Sequence, residues 1–243
     1  MNHMRPFRFR LLALASLLLT LVACSIGGSA GSEAAGAGLA LGPAPWKNGD
    51  VARYDIIDKS GKKVGSDVFS FSLSGAAWVI SDHTQGSNFE QQAQVRLDAA
   101  SLQPLGEEKT VKADKTNYTL STVYSRGKLV INAVVNGQKR NATISVPANG
   151  LDNDQLLMTL RALQFSDGYV AQFTNVVAAN ALKLATTVRV LGRETIQVPA
   201  GSFDCWKVEL DFGQAKQYVW YDTAGQHDMV QYDNGATKSV LTR

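Results

Sequence analysis

"NYTLSTVYSRGKLVINAVVNGQKRNATISV", residues 117–146, decides the fold class. Three runs rich in Val, Ile, Thr and Tyr are separated by Arg126-Gly127 and Asn136-Gly137. Asn-Gly between β-prone runs is the strongest short hairpin signal, because a tight two-residue turn needs positive φ at both central positions. Links this short force neighbouring strands to run antiparallel.

The same grammar extends in both directions. "VARYDIIDKSGKKVGSDVFSFSL" (51–73) reads as a hairpin turning around Lys59-Ser60-Gly61-Lys62. Phe69, Phe71 and Leu73 share a face, and Asp67, of the same parity, is expected near the strand end. "NFEQQAQVRL" (88–97) sets Phe89, Ala93, Val95 and Leu97 against Asn88, Glu90, Gln92, Gln94 and Arg96, a half-buried strand. Further strands are expected at about 182–198, 204–212, 215–222, 227–233 and 236–242. "LDNDQLLMTLRALQF" (151–165) departs from the pattern: Leu156, Leu157, Leu160 and Leu163 recur at helical spacing, with Asp152 or Asn153 available as N-cap. The expectation is a mainly β domain of about ten strands with one amphipathic helix packed on the sheet. Arg161 lies beside the helix's apolar stripe, where its stem packs and its guanidinium reaches a sheet carboxylate; a ligand-facing role is the alternative.

The N-terminus is built differently. Arg5, Arg8 and Arg10 precede "LLALASLLLTLVA" (11–23), a positive n-region and an apolar h-region of a secretory signal. A bilayer span needs about 20 apolar residues, so this run is too short to remain as a transmembrane helix. Leu21-Val22-Ala23-Cys24 resembles the lipobox of bacterial lipoproteins. The resemblance implies a diacylglyceryl thioether on Cys24, cleavage before it, and acylation (palmitate-type chains) of the freed amine. Several chains anchor firmly, at roughly 0.8 kcal/mol per buried CH₂. Ser25 follows, with no Asp as an inner-membrane retention signal, so the address is the outer membrane where one exists and otherwise the outer face of the plasma membrane. Residues 24–45 then read as a lipidated Cys and flexible Gly/Ala/Ser/Pro tether, and 46–243 as a single extracytoplasmic domain.

Charge excludes one class of partner. The chain carries 24 Lys and Arg against 21 Asp and Glu, but loss of residues 1–23 leaves equal numbers. A neutral body without a basic cluster argues against nucleic acid.

Catalytic motifs are scarce. With Cys24 acylated, Cys205 has no disulfide partner and reads as a small buried hydrophobe. His83 and His227 have no sequence support as its base, and no Cys/His/Asp cluster has metal-ligand spacing. "DNDQ" (152–155) lacks the glycine and the downstream glutamate of a calcium loop and reads better as a helix cap. Glu107-Glu108 falls in "LGEEKTVKADKTN", read as a solvated edge or loop. In "VPAGSFD" (198–204), Pro199 and Gly201 reverse the chain and Phe203 folds back on the sheet. Trp206, Val208, Leu210 and Phe212 then continue one face, with Cys205, Lys207, Glu209 and Asp211 on the other.

The opening hairpin, "DNDQLLMTLRAL", "ETIQVPAGSFDCWKVEL" and "QYVWYDTAGQHDMVQYDNGATKSVLTR" together resemble an uncharacterised bacterial domain-of-unknown-function family of exported envelope proteins, over most of residues 50–243. The resemblance implies a strongly curved antiparallel sheet or open barrel, similar in architecture to periplasmic lipoprotein carriers; it brings no activity, catalytic residues or cofactor. The expected function is therefore a membrane-anchored, non-catalytic module binding an apolar ligand or lipidated client between sheet and helix, with Tyr218, Trp220, Tyr221 and Tyr232 as aromatic supply. The alternatives are an assembly protein binding another envelope protein and, behind both, a hydrolase with dispersed carboxylates.

Overall fold

The computed structural model describes residues 38–242; the expected signal, Cys24 and the first part of the expected tether lie outside the described residues. The first eight strands are β1 (Val51–Asp58), β2 (Lys63–Ser74), β3 (Ala77–Gly86), β4 (Phe89–Asp98), β5 (Pro104–Ala113), β6 (Asn117–Ser125), β7 (Lys128–Val135) and β8 (Gln138–Ser145). A short β9 (Gly150–Asp152) and helix α1 (Leu156–Thr159) follow. The last six strands are β10 (Val170–Val177), β11 (Leu182–Val198), β12 (Gly201–Asp211), β13 (Lys216–Asp222), β14 (Met229–Asp233) and β15 (Thr237–Leu241).

The Gly-containing turns form as expected. Arg126-Gly127 and Asn136-Gly137 all have positive φ, +50°, +72°, +48° and +81°, and each pair closes a two-residue hairpin. Val198 pairs with Gly201 around Pro199-Ala200. The chain therefore runs as two meanders, β1–β8 and β10–β15, joined where β1 pairs antiparallel with β15. Only β9, beside β10, is parallel.

All fifteen strands form one sheet, running from β8 through β1 and β15 to β9, and no ladder joins β8 to β9 among the described residues. The sheet nevertheless curls on itself. Leu120 and Ile131, from one end of the strand order, pack against Val176 and Ala178 at the other, and Lys183 Nζ reaches Ser145 Oγ at 3.2 Å.

Fifteen strands replace the expected ten or so. The additions are β3, β5, β9 and β10. In β3 and β5 the inward positions include Asp82, Thr84, Glu107 and Lys109, which break the apolar alternation that marks a strand. Glu107 is thus a buried strand residue, not part of a solvated loop, while Glu108 is exposed. Asp67 likewise sits mid-strand and faces inward, and Leu73 is the exposed one.

The expected fifteen-residue amphipathic helix is also corrected. Residues 150–152 are strand, α1 has four residues, and a 3₁₀ turn over Leu160–Ala162 follows. Asp152 and Asn153 do not cap it; Gln155 precedes the helix without a side-chain capping bond. Leu156, Met158, Thr159, Leu160, Arg161 and Ala162 are all buried and Leu157 half-buried, so little of this segment faces solvent, as an apolar helix requires. The segment packs into the main core with Trp46, Phe71, Val208 and Leu210, while Leu156 and Leu157 at its start border a cavity. The end of the expected tether lies along the same segment: Gly42 N donates to Ala162 O and Gln164 N to Ala40 O. No helix among the described residues is long and apolar enough to cross a membrane.

Candidate functional site

The strands that broke the sequence pattern build one wall of an internal cavity of about 250 Å³. Antiparallel register aligns inward positions into rows. One row is Asp67–Thr84–Gln91–Val111–Tyr118 and the next is Phe69–Asp82–Ala93–Lys109–Leu120. Glu107 stands one step further along β5, opposite Val95 and Thr122. The end of β9 and the turn after it bring Asp152 and Asp154 against this wall. Ile56, Leu120, Val177, Phe212 and Met229 supply the apolar remainder, and the exposed Thr116, Ala179 and Asn180 form the rim.

Two linked groups make up the acidic wall. In the first, Thr84 Oγ1 donates to Asp82 Oδ1 at 3.1 Å, and Gln91 Nε2 donates to Asp82 Oδ2 at 2.8 Å. Burial, and then the neighbouring Asp82, push the Asp67 carboxyl well above the carboxylate range; burial raises Asp82 too. In the second, Lys109 Nζ donates to Asp154 Oδ2 at 2.5 Å, and Tyr124 OH donates to Asp152 Oδ2 at 2.6 Å. Carboxylate oxygens of Glu107, Asp152 and Asp154 lie within 4.8 Å of one another.

One ammonium cannot balance this wall. Burial raises Asp154, but the Lys109 ammonium together with hydrogen bonds from Glu107 and Asn153 outweighs it and holds the carboxyl below its ordinary value. The converse holds for Lys109, whose proton is retained against burial by Asp154 and Glu107. Asp152 is pushed up to about 7 by burial and by Asp154. Burial, then Asp152 and Asp154, hold Glu107 well above its usual range. The Glu107 carboxyl shares a hydrogen bond with Asp154, and Glu107 Oε1 and Gln91 Oε1 accept from no other donor. Each such orphan costs about 1–3 kcal/mol.

Other residues singled out from the sequence lie elsewhere. Arg161 does not line the cavity. Its Nε donates to His227 O and its Nη2 to Gln226 O, both at 3.2 Å, and Nη2 also pairs with Asp228. Its carboxylate partner thus belongs to the turn before β14 rather than to a strand. The guanidinium lies 5.4 Å from the Phe71 ring centroid and 5.9 Å from that of Trp46.

Cys205 is buried in an outer cluster with Trp220 and Val230, on the sheet face opposite Val208 and Leu210, as its parity implied. Of the four aromatic residues, Tyr232 lines the cavity, Tyr221 donates from the core to Leu157 O, and Tyr218 and Trp220 flank Lys207 in the outer cluster. His83 Nε2 lies 3.4 Å from Glu90 Oε1, and His227 packs on Phe165. A broader depression of about 700 Å³ over β4–β8 is lined largely by exposed side chains such as Gln92, Glu108, Asn132 and Asn141.

No motif or spacing indicated that Glu107, Asp152 and Asp154 would meet. One signal was available: Gln91 shares the inward parity of Ala93, Val95 and Leu97, a polar residue in an otherwise apolar row.

No curated protein matches the chain by sequence. Among solved structures, it is similar to a β-barrel-like protein of domain of unknown function DUF1849 from Brucella abortus, with 15% identity, 79% of this chain and 94% of that chain covered, and a TM-score of 0.53. That likeness shows a shared barrel-like fold. A protein proposed to be exported, with a YmcC-like fold, from Bacteroides fragilis has 13% identity over 84% of this chain and 98% of its own, with a TM-score of 0.31. A proposed lipoprotein from Parabacteroides distasonis has 12% identity over 85% and 98%, also with a TM-score of 0.31. The family model described as a protein of unknown function, DUF3108, matches residues 48–236. Most of the body described above falls within that match, and the chain belongs to the DUF3108 family.

Proposed function

We propose that this is a lipid-anchored, non-catalytic binding protein of the bacterial cell envelope, which holds a small, partly apolar ligand in the cavity between the β2–β5 wall and residues 152–157. The observation that carries the reading is the cavity itself. A largely apolar enclosure meets a row of buried, incompletely paired carboxyl groups, the combination of apolar lining and few convergent polar groups that ligand sites have.

Its size sharpens the ligand class. At about 250 Å³ the cavity falls just below the roughly 300–1,000 Å³ of pockets for drug-sized molecules. A small molecule suits it better than a whole lipidated client. The segment expected to cover an apolar tunnel is instead packed into the core, so the ligand sits beside the start of α1. The location follows from Arg5, Arg8, Arg10, the apolar run and Cys24, and descriptions of two distant structural neighbours as exported or lipoprotein are compatible with it.

Two measurements test the proposal. Wild-type protein should sediment with membranes and Cys24→Ser should not; equal sedimentation of both contradicts the anchor. Solvent extraction of purified protein, followed by mass spectrometry, should return one small compound in near-stoichiometric amount. Extracts indistinguishable from blank, together with no saturable binding of any small probe, contradict the cavity reading.

A further inference from the structure

We propose that the unpaired edge of β8 is a docking site for an extended, acidic segment of another protein, which adds to the sheet as a further antiparallel strand. The site lies outside the cavity and is tested separately from it.

The backbone register shows which groups are free. Asn136-Gly137 closes the β7–β8 hairpin with Val135 opposite Gln138, and Val146 N donates to Gly127 O at the far end of the same register. The hydrogen-bonded rungs between them are Ala133–Arg140, Ile131–Ala142 and Leu129–Ile144, because bonded and non-bonded pairs alternate in an antiparallel ladder. The N–H and C=O groups of Lys139, Asn141, Thr143 and Ser145 therefore point to the outer edge, where no strand pairs with them among the described residues. All four residues are exposed, and β8 has no Pro, Gly or bulge. Such an edge is a template for one more strand.

Charge identifies the occupant. Residues 115–151, which include β6, β7 and β8, contain Lys115, Arg126, Lys128, Lys139 and Arg140 and no Asp or Glu. At the other margin of the opening, residues 168–187 add Lys183 and again no acid. None of these six makes an ion pair among the described residues, whereas Lys63, Lys109, Lys112, Arg189, Lys207 and Lys216 all do. A second copy of β8 would crowd two sets of cations along one edge, which opposes pairing. An acidic strand gains from the same cations.

The register also writes the segment's pattern. Ala142 and Ile144 pack on the inner face with Leu129 and Ile131, and Arg140 shares their parity, while Lys139 points outward. An antiparallel segment thus needs apolar side chains opposite Ile144 and Ala142, then carboxylates opposite Arg140 and Lys139. An anionic lipid surface would use the cations and leave the free backbone groups without partners.

The probes are fluorescein-labelled Val-Thr-Val-Thr-Glu-Glu amide and its counterpart ending in Lys-Lys, titrated against the full chain in detergent micelles and read by anisotropy. The Glu peptide should bind once per chain, and the Lys peptide about tenfold or more weakly. Thr143→Pro removes an N–H that faces the edge and takes no part in the β7 ladder, so it should abolish binding and leave near-UV circular dichroism unchanged. Where that variant does not fold, Lys139→Glu with Arg140→Glu, both exposed, should reverse the preference between the peptides. Equal affinity for the two peptides, binding of neither, or Glu-peptide binding untouched by substitution overturns the proposal. Loss of Glu-peptide binding on reconstitution into phosphatidylglycerol but not phosphatidylcholine vesicles overturns it in favour of an anionic membrane. A dimer in sedimentation velocity that Thr143→Pro dissolves overturns it in favour of a second copy.

Discussion

The interior has two ends, and each handles buried charge differently. At one end Arg161 is matched: its guanidinium reaches two carbonyls and Asp228 and lies over two aromatic rings. It ties the 3₁₀ turn after α1 to the 226–228 turn. At the other end the carboxyl groups of β2, β3, β5 and the 152–154 turn share one ammonium and leave acceptors orphaned. Both ends hold unpartnered buried atoms, Trp46 Nε1 and Tyr54 OH beside Arg161 and Gln91 Oε1 on the acidic wall, but only the second crowds several carboxyl groups around a single ammonium. A charge matched by its counter-charge specifies structure, whereas a crowded, unbalanced group persists where function retains it.

The largest expected effect breaks the matched end. Arg161→Ala should lower stability by about 3–5 kcal/mol in urea denaturation, because carbonyls, Asp228 and two rings lose their partner at once. Arg161→Lys should recover only part of that loss, since an ammonium cannot reproduce the fork.

A shift in pH tests the incomplete end. Carboxyl groups raised in the folded state bind protons more tightly there than in the unfolded chain, so stability falls as pH rises through their folded values. For Asp152, at about 7, the loss between pH 5 and 8 is roughly 3 kcal/mol. The melting temperature should therefore be several degrees higher at pH 5 than at pH 8. Asp154, lowered by Lys109, acts in the opposite sense and matters only below about pH 4. A melting temperature that rises from pH 5 to 8 would show that the groups around Asp152, namely Glu107, Asp154, Lys109 and Tyr124, are better balanced than this.

Cys205 belongs to neither end and offers a smaller test. Its thiol is pushed up to about 12 by burial. It should resist iodoacetamide in the native protein at pH 8 and react after unfolding. Cys205→Ser should cost about 1–3 kcal/mol by burying a hydroxyl with a poor partner. The smallest effect is expected one residue from the site, where Glu108→Gln on the exposed face should change stability by less than about 0.5 kcal/mol.

Legibility follows the same division. The hairpins with glycine-containing turns, β1–β2 and β6–β8, and the cleanly alternating β4 were readable because local chemistry and burial agree there. The strands carrying Asp82, Glu107 and Lys109 were not, because buried charge imitates a solvated loop in any reading based on periodicity. Residues 151–165 misled for a related reason. Their leucines recur at helical spacing, yet most of residues 155–163 are buried whatever their parity, so a strand, a turn and a single helical turn satisfy the same pattern once the curled sheet encloses them. The partners Glu107 and Asp154, 47 positions apart, meet only through that enclosure.

Replacing Glu107 by Gln and measuring its urea midpoint at pH 8 probes the proposed division between the ends most directly. The isostere no longer has to hold a proton, so the midpoint should rise with an unchanged slope while Arg161→Ala falls. A Glu107→Gln midpoint lowered as far as that of Arg161→Ala would mean that the acidic end is ordinary scaffold.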